Sequence, residues 1–271
     1  MSAKQCKRLL VGIALLGWAC MSQSQSQSSD VDLAQELVNP LADLITAPIQ
    51  LNFDHGLGPL DDGSKVTTNV QPVIPFAVNE RWGLISRTIL PVIYQNDIFP
   101  GSGSQFGVGD INISLFFSPK ASTAGGITWG VGPVLLLPTA TDAKLGGRKW
   151  GAGPAAVVLT AIGPWTVGAL ANQIWSFAGD DDRSDISSMF VQPFMAYTWP
   201  SAWTFSAQSE TSYNWKTGRW SVPVNISFSK LVRFGRLPVS LQAGVGYWLE
   251  SPATGPEGMR FRLAAIVVLP R

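Results

Sequence analysis

The side chains on which this 271-residue chain could base any chemistry are Asn69, Gln71, Arg87, Asp110, Asn112, Gln192, Gln208, Glu210, Asn225, Gln242 and Arg262. They are carboxamides, guanidinium groups and carboxylates, which bind and orient polar groups. Apart from Arg87, each sits on the polar parity of a segment whose alternate positions are mostly apolar, and alternation at period two is the mark of a β-strand with two unlike faces. WTFSAQSETSYNW, residues 203–215, poses the resulting question. Its Trp203–Phe205–Tyr213 face would be the core of a soluble sandwich; in a membrane barrel it would meet lipid, with Gln208 and Glu210 facing the lumen. Tryptophans at strand ends, alternating connection lengths and an export leader select the barrel; within it Arg87 is diagnostic of which face is inside. Its parity partners Ile85 and Ile89 would otherwise read as a lipid face, and an arginine facing lipid at mid-depth costs about 2–4 kcal/mol. Arg87 is therefore expected inside a barrel, paired with Asp110 or Glu210.

Other chemistry is thinly represented. His55 is the only histidine, so no multi-His metal site exists. A Ser–His hydrolase of the twelve-stranded outer-membrane phospholipase type needs a serine beside that histidine and an H-x-S-N-G signature, but His55 continues as Gly56-Leu57-Gly58. The run GDDDRSD, residues 179–185, could hold Ca²⁺ at an outer rim, yet it lacks EF-hand spacing and reads as a solvated loop. GVGPV and similar glycine-rich pieces have no following helix and are not phosphate loops. No catalytic residue, metal site or cofactor is expected.

The composition selects the same class. Charged residues make up 14% of the chain, against roughly 25% in soluble domains. Mean hydropathy is +0.18 and the pI about 7.7. A net charge of +1 leaves no footprint for nucleic acid. At the N-terminus, Lys4, Lys7 and Arg8 precede the apolar run LLVGIALLGWAC and the polar tract MSQSQSQSS. This is a cleaved signal peptide ending at residue 22–28, within a leader taken as 1–28. Gly17 and Trp18 fit poorly with lipidation at Cys20. Both cysteines, Cys6 and Cys20, fall in the leader, so the mature chain carries no thiol.

Residues 29–46 read as a helical extension: Asp30 or Asp32 caps it, Leu33, Leu37 and Val38 are helically spaced, and Asn39–Pro40 breaks it. It either lies at the barrel mouth as a partial plug or packs outside the sheet. From residue 47 to 271 the pattern is strand, turn, strand. About twelve strands are predicted, at roughly 47–55, 65–78, 81–94, 106–118, 126–138, 149–162, 164–178, 185–199, 201–214, 219–231, 236–249 and 258–270, most of membrane-spanning length. The connections alternate between longer Gly/Asp/Pro-rich loops (GLGPLDDGS, QNDIFPGSGSQ, TATDAKLGGRK, GDDDRSD) and mostly tight turns (VNERW, IGPW, WPSAW, RFGRL), with SPKASTAGG an exception. Outside loops and periplasmic turns differ in this way. Trp82, Trp129, Trp150, Trp165, Trp175, Trp199, Trp203, Trp215, Trp220 and Trp248 all fall near strand ends, as in two interfacial girdles. The in-strand prolines Pro72, Pro75, Pro91, Pro133, Pro154, Pro193 and Pro223 go against the pattern and imply bulges or a bend. The chain closes on FRLAAIVVLPR, with Phe261 and Leu263 on one face, and ends without a terminal aromatic.

The segments NPLADLITAPIQLNFDHGLGP, NVQPVIPFAVNERWGLISRTILPVIYQNDI, FGVGDINISLFFSPK, WGVGPVLLLPTAT and GALANQIWSFAGDDDR resemble a bacterial outer-membrane β-barrel family associated with the meta-cleavage pathway of phenol degradation, whose members are labelled transporter or, misleadingly, neuromedin U. The resemblance runs from about residue 39 to the end. It implies an outer-membrane barrel passing aromatic or other apolar small molecules, and supplies no catalytic motif. The expectation is an all-β transmembrane antiparallel up-and-down barrel and a passive channel. Its partners would be outer-membrane lipid, a small-molecule solute and the barrel-assembly machinery during biogenesis, and it would be a monomer. A non-conducting structural or lipid-associated barrel is the alternative, and a hydrolase a distant one. Barrels of eight strands are filled and those of sixteen open, so twelve excludes a wide pore.

Overall fold

The computed structural model describes residues 29–101 and 103–270; the leader, with Cys6 and Cys20, lies outside them. A short helix spans 29–36. The strand segments are β1 (Ile45–Leu57), β2 (Gly63–Val70), β3 (Val73–Ala77), β4 (Trp82–Asn96), β5 (Gln105–Val108), β6 (Ile111–Pro119), β7 (Ile127–Leu137) and β8 (Lys149–Ile162). They continue with β9 (Trp165–Gly179), β10 (Ser187–Thr198), β11 (Trp203–Ser209), β12 (Thr211–Asn214), β13 (Arg219–Phe234), β14 (Leu237–Glu250) and β15 (Gly258–Leu269). Three staves are broken in the middle, β2/β3, β5/β6 and β11/β12, so the described residues form twelve staves. Every pairing is antiparallel, and β1 meets β15 from Ile45↔Leu269 to Phe53↔Phe261, closing the ring. Closure leaves no unpaired edge, the condition for strands to cross a bilayer.

Period two sets the faces. In β1, Asn52 and Asp54 are buried while Ile49 and Leu51 are exposed; in β15, Arg260 and Arg262 are buried while Phe261 and Leu263 are exposed. The outer surface is thus apolar and the inside holds the polar set, as the Arg87 argument requires. Rings gather outside near the strand ends: Trp82 meets Trp129 edge-on, Trp165–Tyr197–Trp199 leads to Phe228 and Phe205 at the tight-turn end, and Tyr213 touches Trp215 and Trp220 at the other. Trp248 departs from the girdle pattern: it lies on the inward parity of β14 and bonds Asp54 of β1 past the intervening β15.

The prolines explain the broken staves. A proline keeps its carbonyl but cannot donate, so the ladder splits beside it. Pro72 lies in the β2/β3 break and its carbonyl accepts from Thr88 N. The Pro91 carbonyl accepts from Gly109 N in the β5/β6 break. That of Pro223 accepts from Glu210 N and the Ser209 hydroxyl in the β11/β12 break, next to a register shift in β13. Pro133 and Pro154 stand opposite each other between β7 and β8.

The lumen has two unlike halves. Along β4 and β6–β10 its wall is a core: Ile85, Phe116, Val134, Val157, Leu159, Leu170 and Ile174 pack together. Leu41 of the N-terminal segment joins this cluster, so the segment enters the barrel and does not pack outside. It is helical only over 29–36, and the chain beyond Asn39–Pro40 runs irregularly to β1. Ala34 packs on Ala202 and Leu231 at the tight-turn mouth, where Arg233 Nε bonds Asp30 Oδ1 at 2.8 Å and Gln35 Nε2 donates to Gly163 O at 2.8 Å. Gly130 makes room for Leu41: a Cβ there would stand 3.1 Å from the leucine methyl.

Leu263→Arg, on the exposed face halfway along β15, should lower folding stability in lipid vesicles by about 2–4 kcal/mol in a denaturant titration; a change below about 1 kcal/mol would contradict lipid exposure of this face.

Candidate functional site in the barrel lumen

The closing seam builds a charged layer across the lumen. Asn52 stands opposite Arg262, and Arg262 Nε donates to Asn52 Oδ1 at 2.7 Å. Two residues further on, Arg260 grips both oxygens of Asp54, Nε to Oδ1 and Nη2 to Oδ2, each at 3.0 Å. This fork-on-fork geometry is the strong form of a carboxylate–guanidinium pair. Trp248 Nε1 donates to Asp54 Oδ1 at 2.8 Å, and its ring lies 4.8 Å from the Arg260 guanidinium. Three staves round the ring from β15, the β11/β12 break places Glu210 so that its Oε2 accepts from Arg262 at 2.7 Å and from Arg260 at 3.3 Å. Amides extend the layer: Gln192 Nε2 donates to Gln208 Oε1 at 3.0 Å, and Gln208 Nε2 to Glu210 Oε1 at 3.3 Å.

The remaining candidates fall in different places. Arg87 lies inside and donates to Gln71 Oε1 at 2.9 Å. The expected pairing differs: Glu210 acts on Arg87 through space, while its direct bonds go to Arg260 and Arg262. Asp110 is elsewhere. In the β5/β6 bulge it accepts from Ala140 N at 3.1 Å and Gly147 N at 2.6 Å, holding the 138–148 loop at the outer mouth. Arg183 Nη2 donates to Ala143 O and Gly146 O of that loop. Gln242 donates to the Ser227 hydroxyl at 2.7 Å. Asn69 stands opposite Gln50, and Asn112 opposite Ile89 and Leu136, outside the charged layer. Asn225 is buried over Gly246, where a Cβ would come within 2.4 Å of its Oδ1. Among the described residues, neither amide atom of Asn225 has a hydrogen-bond partner.

Asn52, Asp54, Lys65, Trp248 and Arg260 are inward-facing residues outside the set read from the sequence. Parity was the available signal for all five: Asn52 and Asp54 share the phase of Gln50, Lys65 that of Asn69, Arg260 that of Arg262 and Trp248 that of Gln242. For Trp248 a strand-end position that fits a girdle outweighed it.

Between the charged layer and the N-terminal segment lies a cavity of about 230 Å³. Arg87, Glu210 and the Gln71, Gln192, Gln208 and Gln242 amides form one side; Leu37, Val38, Pro40 and Leu44 form the other. At the tight-turn mouth, burial first and the nearby Asp43 carboxylate second push the Glu36 carboxyl above its ordinary range. In the 179–185 run, Asp180 pairs with Arg148 at 3.4 Å and Asp185 with Lys149 at 3.5 Å. The Asp182 backbone N–H, then Arg148, holds Asp180 below the usual carboxylate range; the Ser176 hydroxyl, then Lys149 and Lys216, does so for Asp185. These carboxylates are committed to neighbours, and among the described residues no cluster of three His, Cys, Asp or Glu side chains could hold a metal ion.

No protein-family model matches the chain, and no curated protein does. Solved structures do match. An outer membrane channel from Pseudomonas putida F1 is 14% identical, over 84% of this chain and 96% of that one, with a TM-score of 0.66. The NanC porin is 12% identical, over 83% of this chain and 100% of that one, with a TM-score of 0.51. Outer membrane phospholipase A of Escherichia coli, 12% identical over 82% and 90%, reaches only 0.49 and carries no weight. At these identities the likeness is one of fold.

Glu210→Gln removes the carboxylate that Arg260 and Arg262 share and should destabilise the barrel by about 3 kcal/mol, since breaking a buried pair strands a charge; urea unfolding in vesicles measures it. Glu36 binds its proton more tightly in the folded protein than in the unfolded chain. Its contribution is therefore full below the ordinary glutamate range, near pH 4.3, and lost as pH rises through the raised value. Hydrogen exchange of residues 29–44, corrected for intrinsic rates, should quicken as pH rises through that window, and Glu36→Gln should flatten the dependence.

Proposed function

We propose that this chain is a monomeric β-barrel of the bacterial outer membrane that passively admits small solutes through a narrow lumen. The cavity of about 230 Å³ between the charged layer and the N-terminal segment carries the reading: polar groups converge there on space that no side chain fills. An apolar outer surface with aromatic rings at both ends supports residence in lipid. The leader supports export, with the barrel-assembly machinery as the folding partner. Resemblance to the phenol-degradation family favours aromatic or other apolar solutes. The matched channel and porin share the fold, so transport by this chain is inferred from its own lumen.

One observation favours a second reading, a non-conducting structural or lipid-associated barrel. The apolar cluster and Leu41 fill half of the lumen, and the N-terminal segment occupies the tight-turn mouth. A hydrolase finds no support: His55 is exposed on the outward face of β1, opposite Ser64, and among the described residues no side chain hydrogen-bonds its ring.

In planar bilayers the purified protein should show small conductance steps, and a variant lacking residues 29–44 should show steps several-fold larger. Silence from both, together with no solute flux in liposomes, would establish the non-conducting barrel instead.

A further inference from the structure

Most charges in the lumen are matched, and one that is not lies on the cavity. Asp54 is held by Arg260, and Glu210 by Arg260 and Arg262. Arg87 also lines the cavity; among the described residues it makes no ion pair, and its one hydrogen bond goes to the neutral Gln71 amide. A guanidinium has five N–H donors, so most of those of Arg87 are uncommitted. With Lys65 also inward, opposite Asp54 in β2, the four cations of this layer exceed its two carboxylates. The same cavity is also lined by apolar side chains: Leu37, Val38 and Leu44 of the N-terminal segment, with Phe194 and Ile266 from the staves.

A fork of donors in a cavity otherwise lined by apolar and uncharged groups is the arrangement that holds a carboxylate carried on an apolar body. Size narrows the class. An apolar cavity of about 150 Å³ holds benzene, so about 230 Å³ takes one ring, or its aliphatic equivalent, with a single carboxylate. Among the described residues Arg87 is the one cation that lines the cavity, which sets a single carboxylate, and Glu210, being neutralised by two arginines, offers no free charge to a cation. We infer that the cavity is a binding site for small amphipathic monocarboxylates, with Arg87 gripping the carboxylate and the N-terminal segment covering the apolar body. This deepens the channel reading by naming a solute class, and rests on that reading only for passage, since binding can be measured alone.

The test is equilibrium binding of benzoate, benzyl alcohol and benzylammonium to the detergent-solubilised barrel, followed by ligand-observed NMR. Benzoate should bind at least tenfold more tightly than either analogue, and Arg87→Gln should remove at least tenfold of that affinity while Arg87→Lys restores part. Leu44→Trp, which fills the apolar side, should weaken benzoate binding in a barrel that still shows heat-modifiable gel migration. Equal affinity for benzoate and benzyl alcohol in the wild type would overturn the inference without any variant, as would undiminished binding in a folded Arg87→Gln or Leu44→Trp protein. Benzoate binding without flux in liposomes would keep this site and sink the channel; benzoate flux without saturable binding would do the reverse.

Discussion

Everything inside this barrel depends on how its first and last staves meet. Arg260 and Arg262 on β15 face Asp54 and Asn52 on β1, about two hundred residues away along the chain. In an interior partly shut off from water, an unmatched charge is expensive and a matched one is held firmly. The seam supplies the cations, the first stave one carboxylate, and the β11/β12 break the other, Glu210. Three separate parts of the ring thus converge on two arginines, and the amide chain Gln192–Gln208 hangs from the same point. The cavity beneath exists because this layer is tied to itself and does not collapse onto the N-terminal segment.

The division of the lumen follows from the strand number. Twelve staves enclose more space than side chains alone fill. On one side large apolar residues such as Phe116, Val134 and Leu170 close the gap, with Leu41 brought in from outside the ring. On the other side the polar network is a single layer, and the space below it stays open. The chain therefore behaves as a filled barrel along β4 and β6–β10 and as a hollow one along the seam.

Much of this was legible from residue types alone. Period-two alternation located all twelve staves, because each buries one face and exposes the other. It also turned Arg87 inward, since the cost of an arginine in lipid outweighs the pull of its isoleucine neighbours. What alternation cannot supply is partnership across the ring. Arg87 and Asp110 looked like a pair by charge, yet the β5/β6 bulge turns Asp110 to the 138–148 loop. Trp248 resembled every other strand-end tryptophan until the position of Asp54 gave its N–H an internal partner. Of the in-strand prolines, irregular by propensity, Pro72, Pro91, Pro193 and Pro223 lie in or beside the split staves, and one such split presents Glu210 to the arginines. The depth of the N-terminal segment was equally hidden, because Leu41 reads as part of a short amphipathic stretch whichever side of the wall it lies on.

That segment is joined directly to β1, and the junction changes how its grip should be judged. A separate peptide holding the mouth by one short helix, one ion pair and one backbone hydrogen bond would leave on dilution. A tethered one cannot be diluted: its local concentration at the mouth is fixed by the link, in the millimolar range for short connections. Contacts that would be feeble between two molecules can therefore keep the mouth occupied nearly all the time. The frequency with which it clears is a property of the chain, independent of protein concentration.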